Sequence, residues 1–331
     1  MRRPNGRKRS LLIQLTIFLL AAGTATACSI PVFRYALTRW RATPYVALVV
    51  HKEPLSESHK KVVEYMKKKA SDRDTRPNLR VRKVNLKKQD GVPDDLKPEQ
   101  TPRLMLMHPR LPQDHRIMWK GKINKKKVNR MVDSPVRQKL AKRLLDQHAA
   151  VWVLLKSGNE DRDQRARQLL KKQLDRLEEK VMLPMGYQGP GSGSNSDDSG
   201  GVEFSMMELD RDATEEETLV SMLLHLEPGL TKDKYSKEPM AFPIFGRGRV
   251  LYALVGEGIN KQNISRVSSF LVGGCQCQVK SAAPGTDLLL AADWSGVKYS
   301  GRRRGAPPSV QGAAGRGKRS PQKTPPGGNE Q

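Results

Sequence analysis

The chain has 331 residues with 60 Lys plus Arg against 34 Asp plus Glu, a formal charge of +26. Apolar residues make up 37% and aromatics 5%, enough for a modest core and too many for a chain disordered throughout. Three cysteines exclude a disulfide-stapled scaffold, and six histidines leave little material for a multi-metal enzyme. The length corresponds to about two domains. With the basic ends set aside, residues 11–300 keep a charge of +15, so the folded part is itself basic and favours polyanions, with plain solvation as the competing account.

The first segment, MRRPNGRKRS, is basic, and LLIQLTIFLLAAG follows it as a short apolar run ending at Ala25-Thr26-Ala27-Cys28. This order is that of a secretory signal, with an apolar core shorter than the roughly 20 residues of a spanning helix. Residues 1–27 are therefore expected to be a signal peptide or membrane anchor. Cleavage after Ala27 would leave Cys28 as the first mature residue, the place where a bacterial lipoprotein is acylated. A lipidated Cys28, a simple cleaved signal and an uncleaved anchor stay open, since Ala25 and Thr26 depart from the usual lipoprotein pattern. The expected location is the cell envelope, membrane-anchored or periplasmic. Export also takes weight from nucleic acid as a partner and leaves the membrane, other envelope proteins and anionic polymers.

Residues 28–44 read as a linker. YVALVV is a continuous apolar, β-branched run of the kind found in buried strands. LSESHKKVVEYMKKKA follows as a helix capped by Ser56 or Ser58, with Val62, Val63 and Met66 on one face. LRVRKVNL alternates as a second strand. RLMLM and RIMWKG can pair as a hairpin, Asn124 opens a helix with Val128, Met131 and Val132, and Ser134-Pro135 starts another.

The same order then recurs. VWVLL at 151–155 is a strand, residues 161–182 are an amphipathic helix, VEFSMMEL is the second strand, and Thr214 to Glu217 reads as a capping box. AFPIFGRGRVLYALVG is a hairpin turning at Gly246-Arg247-Gly248, and Asn260 opens the closing helix. KINKKKVNRM at 122–131 aligns with GINKQNISRV at 258–267, which makes an internal duplication the economical reading. Two units are expected, 45–148 and 149–280, the second carrying a Gly/Ser insertion at 186–201. An extension at 281–299 has DLLLAADW as an added strand or edge cover, and a disordered basic tail fills 300–331.

A βαβ unit followed by a hairpin and a closing helix is the thioredoxin topology. FGRGRVLYALVG at 245–256 resembles the penultimate hairpin of the thioredoxin-like family, and Thr101-Pro102 resembles the Thr-Pro before that hairpin, where the proline is cis. Pro239 and Pro243 fall out of register for the same role in the second unit. The whole chain is also similar to exported proteins of planctomycete-type bacteria, a resemblance that brings no activity. The implied fold class is α/β, two tandem thioredoxin-like domains, each a mixed sheet flanked by helices.

The family's dithiol belongs at the end of the first strand, where a helix N-terminus lowers a thiol pKa. His51-Lys52-Glu53-Pro54 and Lys156-Ser157-Gly158-Asn159 stand there, without cysteine. The units therefore read as redox-inactive scaffolds, with His51 a surface histidine, no catalytic residue and no cofactor. Cys275-Gln276-Cys277 is the remaining thiol pair. It can close a strained disulfide, exchange thiols, or present two thiolates to Zn or Cu(I), with further ligands still required from Cys28 or a second chain. Gly273-Gly274 ahead of it reads as a helix cap rather than a phosphate loop. Arg247 and Arg249 at the hairpin are candidate anion contacts, although the turn alone explains both glycines. His108, Asp114 and His115 fall in a Pro-punctuated loop and read as solvated. The Lys-rich helix faces, Lys67 to Lys69 and Lys125 to Lys127, read as polar exteriors or as an attachment to an anionic membrane. The expectation is a non-enzymatic structural or interaction module, the rival a thiol redox or metal-handling protein using Cys275 and Cys277.

Overall fold

The computed structural model describes residues 30–88, 92–108, 111–112, 116–180, 202–274, 280 and 285–297. The chain is α/β, with two mixed sheets flanked by helices. A helix α1 (Val32–Arg39) precedes the first sheet, which is built from β1 (Tyr45–His51), β2 (Leu79–Asn85), β3 (Arg103–Met107) and β4 (Ile117–Gly121). Its strand order is β2-β1-β3-β4, with β2 parallel to β1 and β3 and β4 antiparallel. The crossover from β1 to β2 is helix α2 (Glu57–Ala70), whose first turn is capped by Ser56 Oγ accepting from His59 N at 3.3 Å. Helix α3 (Lys125–Val132) follows β4, with Asn124 Oδ1 accepting from Lys127 N, and α4 (Pro135–Leu145) begins on a proline at its first position.

The second sheet runs β10-β8-β7-β5-β6, with β9 also on β7. Its strands are β5 (Ala150–Leu155), β6 (Phe204–Leu209), β7 (Met240–Phe245), β8 (Arg249–Val250), β9 (Leu254–Val255) and β10 (Thr286–Asp287). Helix α5 (Glu160–Lys180) crosses from β5 to the parallel β6, α6 (Glu217–Leu224) leads towards β7, and α7 (Lys261–Val272) follows the hairpin under an Asn260 cap. The repeated Ile-Asn-Lys segments thus open helices at the same point of each half. The Thr101–Pro102 peptide is cis.

Period-2 alternation divides each sheet into two faces. Tyr45, Ala47, Val49, Leu104, Leu106 and Met118 meet Val63 and Met66 of α2 and Val128 and Met131 of α3. The same cluster continues without a break into Val151, Val153, Leu155, Phe242 and Ile244 of the second sheet, through α4 and α6. The opposite face of the second sheet, with Trp152, Leu154, Phe204 and Phe245, lies under α5, α7 and α1. β5 is buried on both sides, which is why VWVLL is apolar at every position.

Two local expectations are corrected and a third is extended. Residues 32–39 of the expected linker form a helix, because Val32, Phe33, Ala36 and Leu37 have an apolar surface to cover, most of it on the second sheet. The Thr214 capping box does not form: the helix begins at Glu217, and the Glu216 carboxylate accepts instead from Ser134 Oγ (2.5 Å) and Val136 N (2.8 Å) at the start of α4. The extension both adds a two-residue strand, paired with β8, and drives Leu288, Leu289 and Leu290 into the shared core. The insertion at 186–201 and the tail at 300–331 lie outside the described residues.

Candidate functional site

At the end of β5 the chain turns into α5 through Lys156-Ser157-Gly158-Asn159, with Gly158 at φ +85°. Asp163, in the first turn of α5 and 1% exposed, folds back over this loop. Its Oδ1 accepts from Ser157 N at 2.7 Å and from Ser157 Oγ at 2.8 Å, and its Oδ2 accepts from Gly158 N at 3.1 Å. Asn159 Oδ1 accepts from Arg162 N. Two loop N–H groups ahead of the helix and that of Arg162 are thereby occupied by the side chains of Asp163 and Asn159. At the end of β1 the corresponding loop holds His51, whose Nδ1 lies 2.9 Å from Glu53 O, while Glu53 pairs with Lys87.

Beside the second loop an open groove of about 590 Å³ is bordered by Arg162, Arg165, Tyr235, Glu238, Pro239 and Gly256. Glu238 pairs with Arg162, and its backbone carbonyl accepts from Arg211 Nη2 at 3.0 Å. These groups are spent on joining α5 to the loop ahead of β7.

A second constellation lies where the two sheets and the extension meet. Asp287, 3% exposed, accepts from Thr43 N at 2.7 Å and pairs with Arg249 (3.2 Å) and Lys280. Burial raises the Asp287 pKa, but the Lys280 ammonium and the hydrogen bonds from Lys280 and Thr43 hold it below the ordinary 3.8. Tyr45 donates its hydroxyl to Asp287 O at 2.8 Å, and burial followed by the Asp287 charge pushes that phenol upward. Asn78 Nδ2 donates to Thr43 O and Leu288 O, and Asn78 Oδ1 accepts from Leu290 N. Close by, Arg137 is 1% exposed and donates to Ser134 Oγ and to the carbonyls of Met131, Val132, Leu289 and Arg130. Burial pulls its pKa down to about 10, against the attraction of Asp133, Glu216 and Tyr45.

The sequence-derived candidates separate. Cys28, Cys275 and Cys277 lie outside the described residues, as do Asp114 and His115. Arg247 donates its Nε to Leu37 O at 2.7 Å and its Nη2 to Thr38 O, closing the last turn of α1. Arg249 is buried against Asp287 and stands over the Trp40 ring at 5.6 Å. Both guanidinium groups are thus engaged by the protein itself. His108, expected in solvent, is 3% exposed and edge-on to Tyr45 at 5.0 Å, because it directly follows β3 and its N–H donates to Arg116 O at 2.8 Å, which continues the β3–β4 pairing. Asp163, Arg137, Asp287 and Asn78 were not singled out in the sequence. Only Asp163 carries a local signal, an acid in a first helical turn six positions after a serine.

The charge is distributed unevenly. Residues 45–148 hold 27 Lys and Arg against 12 Asp and Glu, whereas residues 149–280 hold 17 against 19. Where the halves touch, the acidic start of α6 meets the basic α3: Lys127 pairs with Glu217 at 2.7 Å and Arg130 with Glu215 at 3.7 Å. Among the described residues no cluster of three His, Cys, Asp or Glu could hold a metal, and no helix is long and apolar enough to cross a membrane. Compared with known proteins, the chain matches no family, no curated protein and no solved structure.

Proposed function

We propose that the chain is a non-enzymatic structural or interaction module built on two degenerate thioredoxin-like units, exported and tethered to a membrane through its N-terminus. The thioredoxin-like reading is supported by topology. Each half has a parallel βαβ unit, an antiparallel hairpin and a closing helix, in the orders β2-β1-β3-β4 and β6-β5-β7-β8. The observation that carries the non-enzymatic reading is Asp163. At the strand-to-helix turn where that family keeps its dithiol, this carboxylate occupies the Ser157 and Gly158 donors at 2.7 to 3.1 Å, and no thiol stands there. On this reading the donors of the turn are used for cohesion. Export and tethering rest on the basic and apolar order of residues 1–28.

The test is the intact mass of the protein from its native membranes, with and without reductant, together with the double variant Cys275→Ser, Cys277→Ser. An acyl mass on a chain beginning at Cys28, or a full-length chain in the membrane fraction, agrees with tethering; an unmodified mature chain in the soluble fraction overturns it. Thiol exchange with a small disulfide and uptake of Zn²⁺ should be unchanged by the double substitution. Loss of either would install the thiol redox or metal-handling role in its place.

A further inference from the structure

The uneven charge has a focus. Helix α2 presents Lys61, Tyr65, Lys68 and Lys69 along one stripe, and α3 presents Lys125, Lys126 and Asn129 beside it. Tyr65 fastens the two stripes together: its hydroxyl donates to Asn129 Oδ1 at 2.6 Å, and its ring lies under Lys69 Nζ at 6.0 Å and Lys125 Nζ at 5.5 Å. Lys61, Lys68, Lys125 and Lys126 are exposed and Lys69 is half-exposed. Of the neighbouring carboxylates Glu57 is taken by Lys60, Glu64 by Lys67, and those of α6 by Lys127 and Arg130, while Asp72, just past the end of α2, is near enough to Lys69 for their charges to interact. Five ammonium groups therefore share one two-helix ridge, and among the described residues none of them is drawn into an ion pair.

We infer that this ridge is a contact surface for anionic lipid head groups, on the reading that the chain is held at a membrane. The chemistry favours a lipid surface over a nucleic acid. All five charges are lysines, compact point charges without the planar fork that reads bases or grips phosphate bidentately. The single aromatic among them has its hydroxyl committed to Asn129 and its face to two lysines, so no stacking platform is left for bases. Two adjacent helices expose these lysines side by side, and such an array meets several head groups at once. The apolar run of residues 11–23 stands only seven positions before Ile30, so an inserted segment would keep Ile30 within roughly 25 Å of the head groups. Lysines near such a surface each strengthen attachment by about fivefold.

The full chain is bound to vesicles of phosphatidylcholine, alone or mixed with phosphatidylglycerol, and its lysines are labelled with a water-soluble acylating reagent. Lys61, Lys68, Lys69, Lys125 and Lys126 should label several-fold more slowly on the mixed vesicles, while Lys172 and Lys180 of α5 label equally on both. The variant with all five lysines changed to Gln should lose at least about tenfold of the phosphatidylglycerol-dependent binding, and raised salt should remove the same component from the wild type. Equal labelling of the five on both vesicles overturns the inference. So does protection by an acidic polysaccharide or RNA in solution without any contrast between vesicles, which would assign the ridge to polymers. Recovery on phosphatidylcholine alone reports the tether, so failure of tethering is distinguishable from failure of the ridge.

Discussion

Asp163 makes two hydrogen bonds to backbone N–H groups and one to a hydroxyl while almost wholly buried, so its removal strands donors rather than merely losing contacts. Asp163→Ala is expected to cost about 2 to 3 kcal/mol in urea unfolding; an unchanged midpoint would mean that water replaces the carboxylate. Asp287 is a stronger case because it is buried and pairs with two cations, and Asp287→Asn, which removes that buried charge, should cost about 3 kcal/mol. Its depressed pKa fixes the sign of a pH effect. The unfolded carboxyl takes up a proton first, so the stabilisation is complete above pH 3.8 and is lost as pH falls through the lower folded-state value. Unfolding followed from pH 5 downward should show that loss in the wild type and a shallower one in Asp287→Asn. His148 acts in a higher window. Burial lowers its pKa, with Glu203 3.2 Å away opposing, so stability declines as pH drops below the unfolded value of 6.5, and His148→Gln should flatten that slope.

At the scale of elements, the hairpin turn shows how one segment serves several partners. Gly246 has φ +60°, and a Cβ there would lie 2.7 Å from Ala36 Cβ, so the turn must be bare for α1 to rest on it. Arg247 then caps α1 and Arg249 reaches Asp287. Gly246→Ala should cost about 2 kcal/mol and loosen α1, seen as faster amide exchange of Ala36 to Trp40, whereas exchange confined to the turn would refute the coupling. The extension behaves as a strap. Leu289 is fully buried, and Leu288 O and Leu290 N bond to Asn78 while Thr286 pairs with Val250, so one short segment touches both sheets. Leu289→Ala should cost about 3 kcal/mol. The strap explains why an apolar Leu-Leu-Leu run persists beyond the last helix, where edge cover alone would require less.

For the whole molecule, one apolar cluster crosses from α2 and α3 to β5 and β7, and a shared core of this kind is expected to make the halves unfold together. Calorimetry should give one transition with calorimetric and van't Hoff enthalpies in agreement; two resolved transitions would mean that the shared core contributes little. Ion pairs such as Lys127–Glu217 sit at this junction, so the acidic start of α6 neutralises the inner side of α3 and leaves its outer lysines for other partners. The two units differ in charge, residues 45–148 being strongly basic and residues 149–280 nearly neutral.

Local order was legible in the sequence wherever one physical rule acts on neighbouring residues. YVALVV and VWVLL declared doubly covered strands, Asn124 and Asn260 declared helix starts, and Gly246 and Gly248 declared a turn, because strand period, capping and left-handed φ are settled within a few positions. The repeat of these elements could be read in the same way. What tertiary structure alone decided was the destination of side chains between distant segments. Glu216 caps a helix 80 positions earlier, Asp287 reaches Thr43 across 244, and the expected linker became a helix because the second sheet had an uncovered apolar face. No periodicity carries such information, since these pairings depend on which surfaces remain exposed once each sheet has formed.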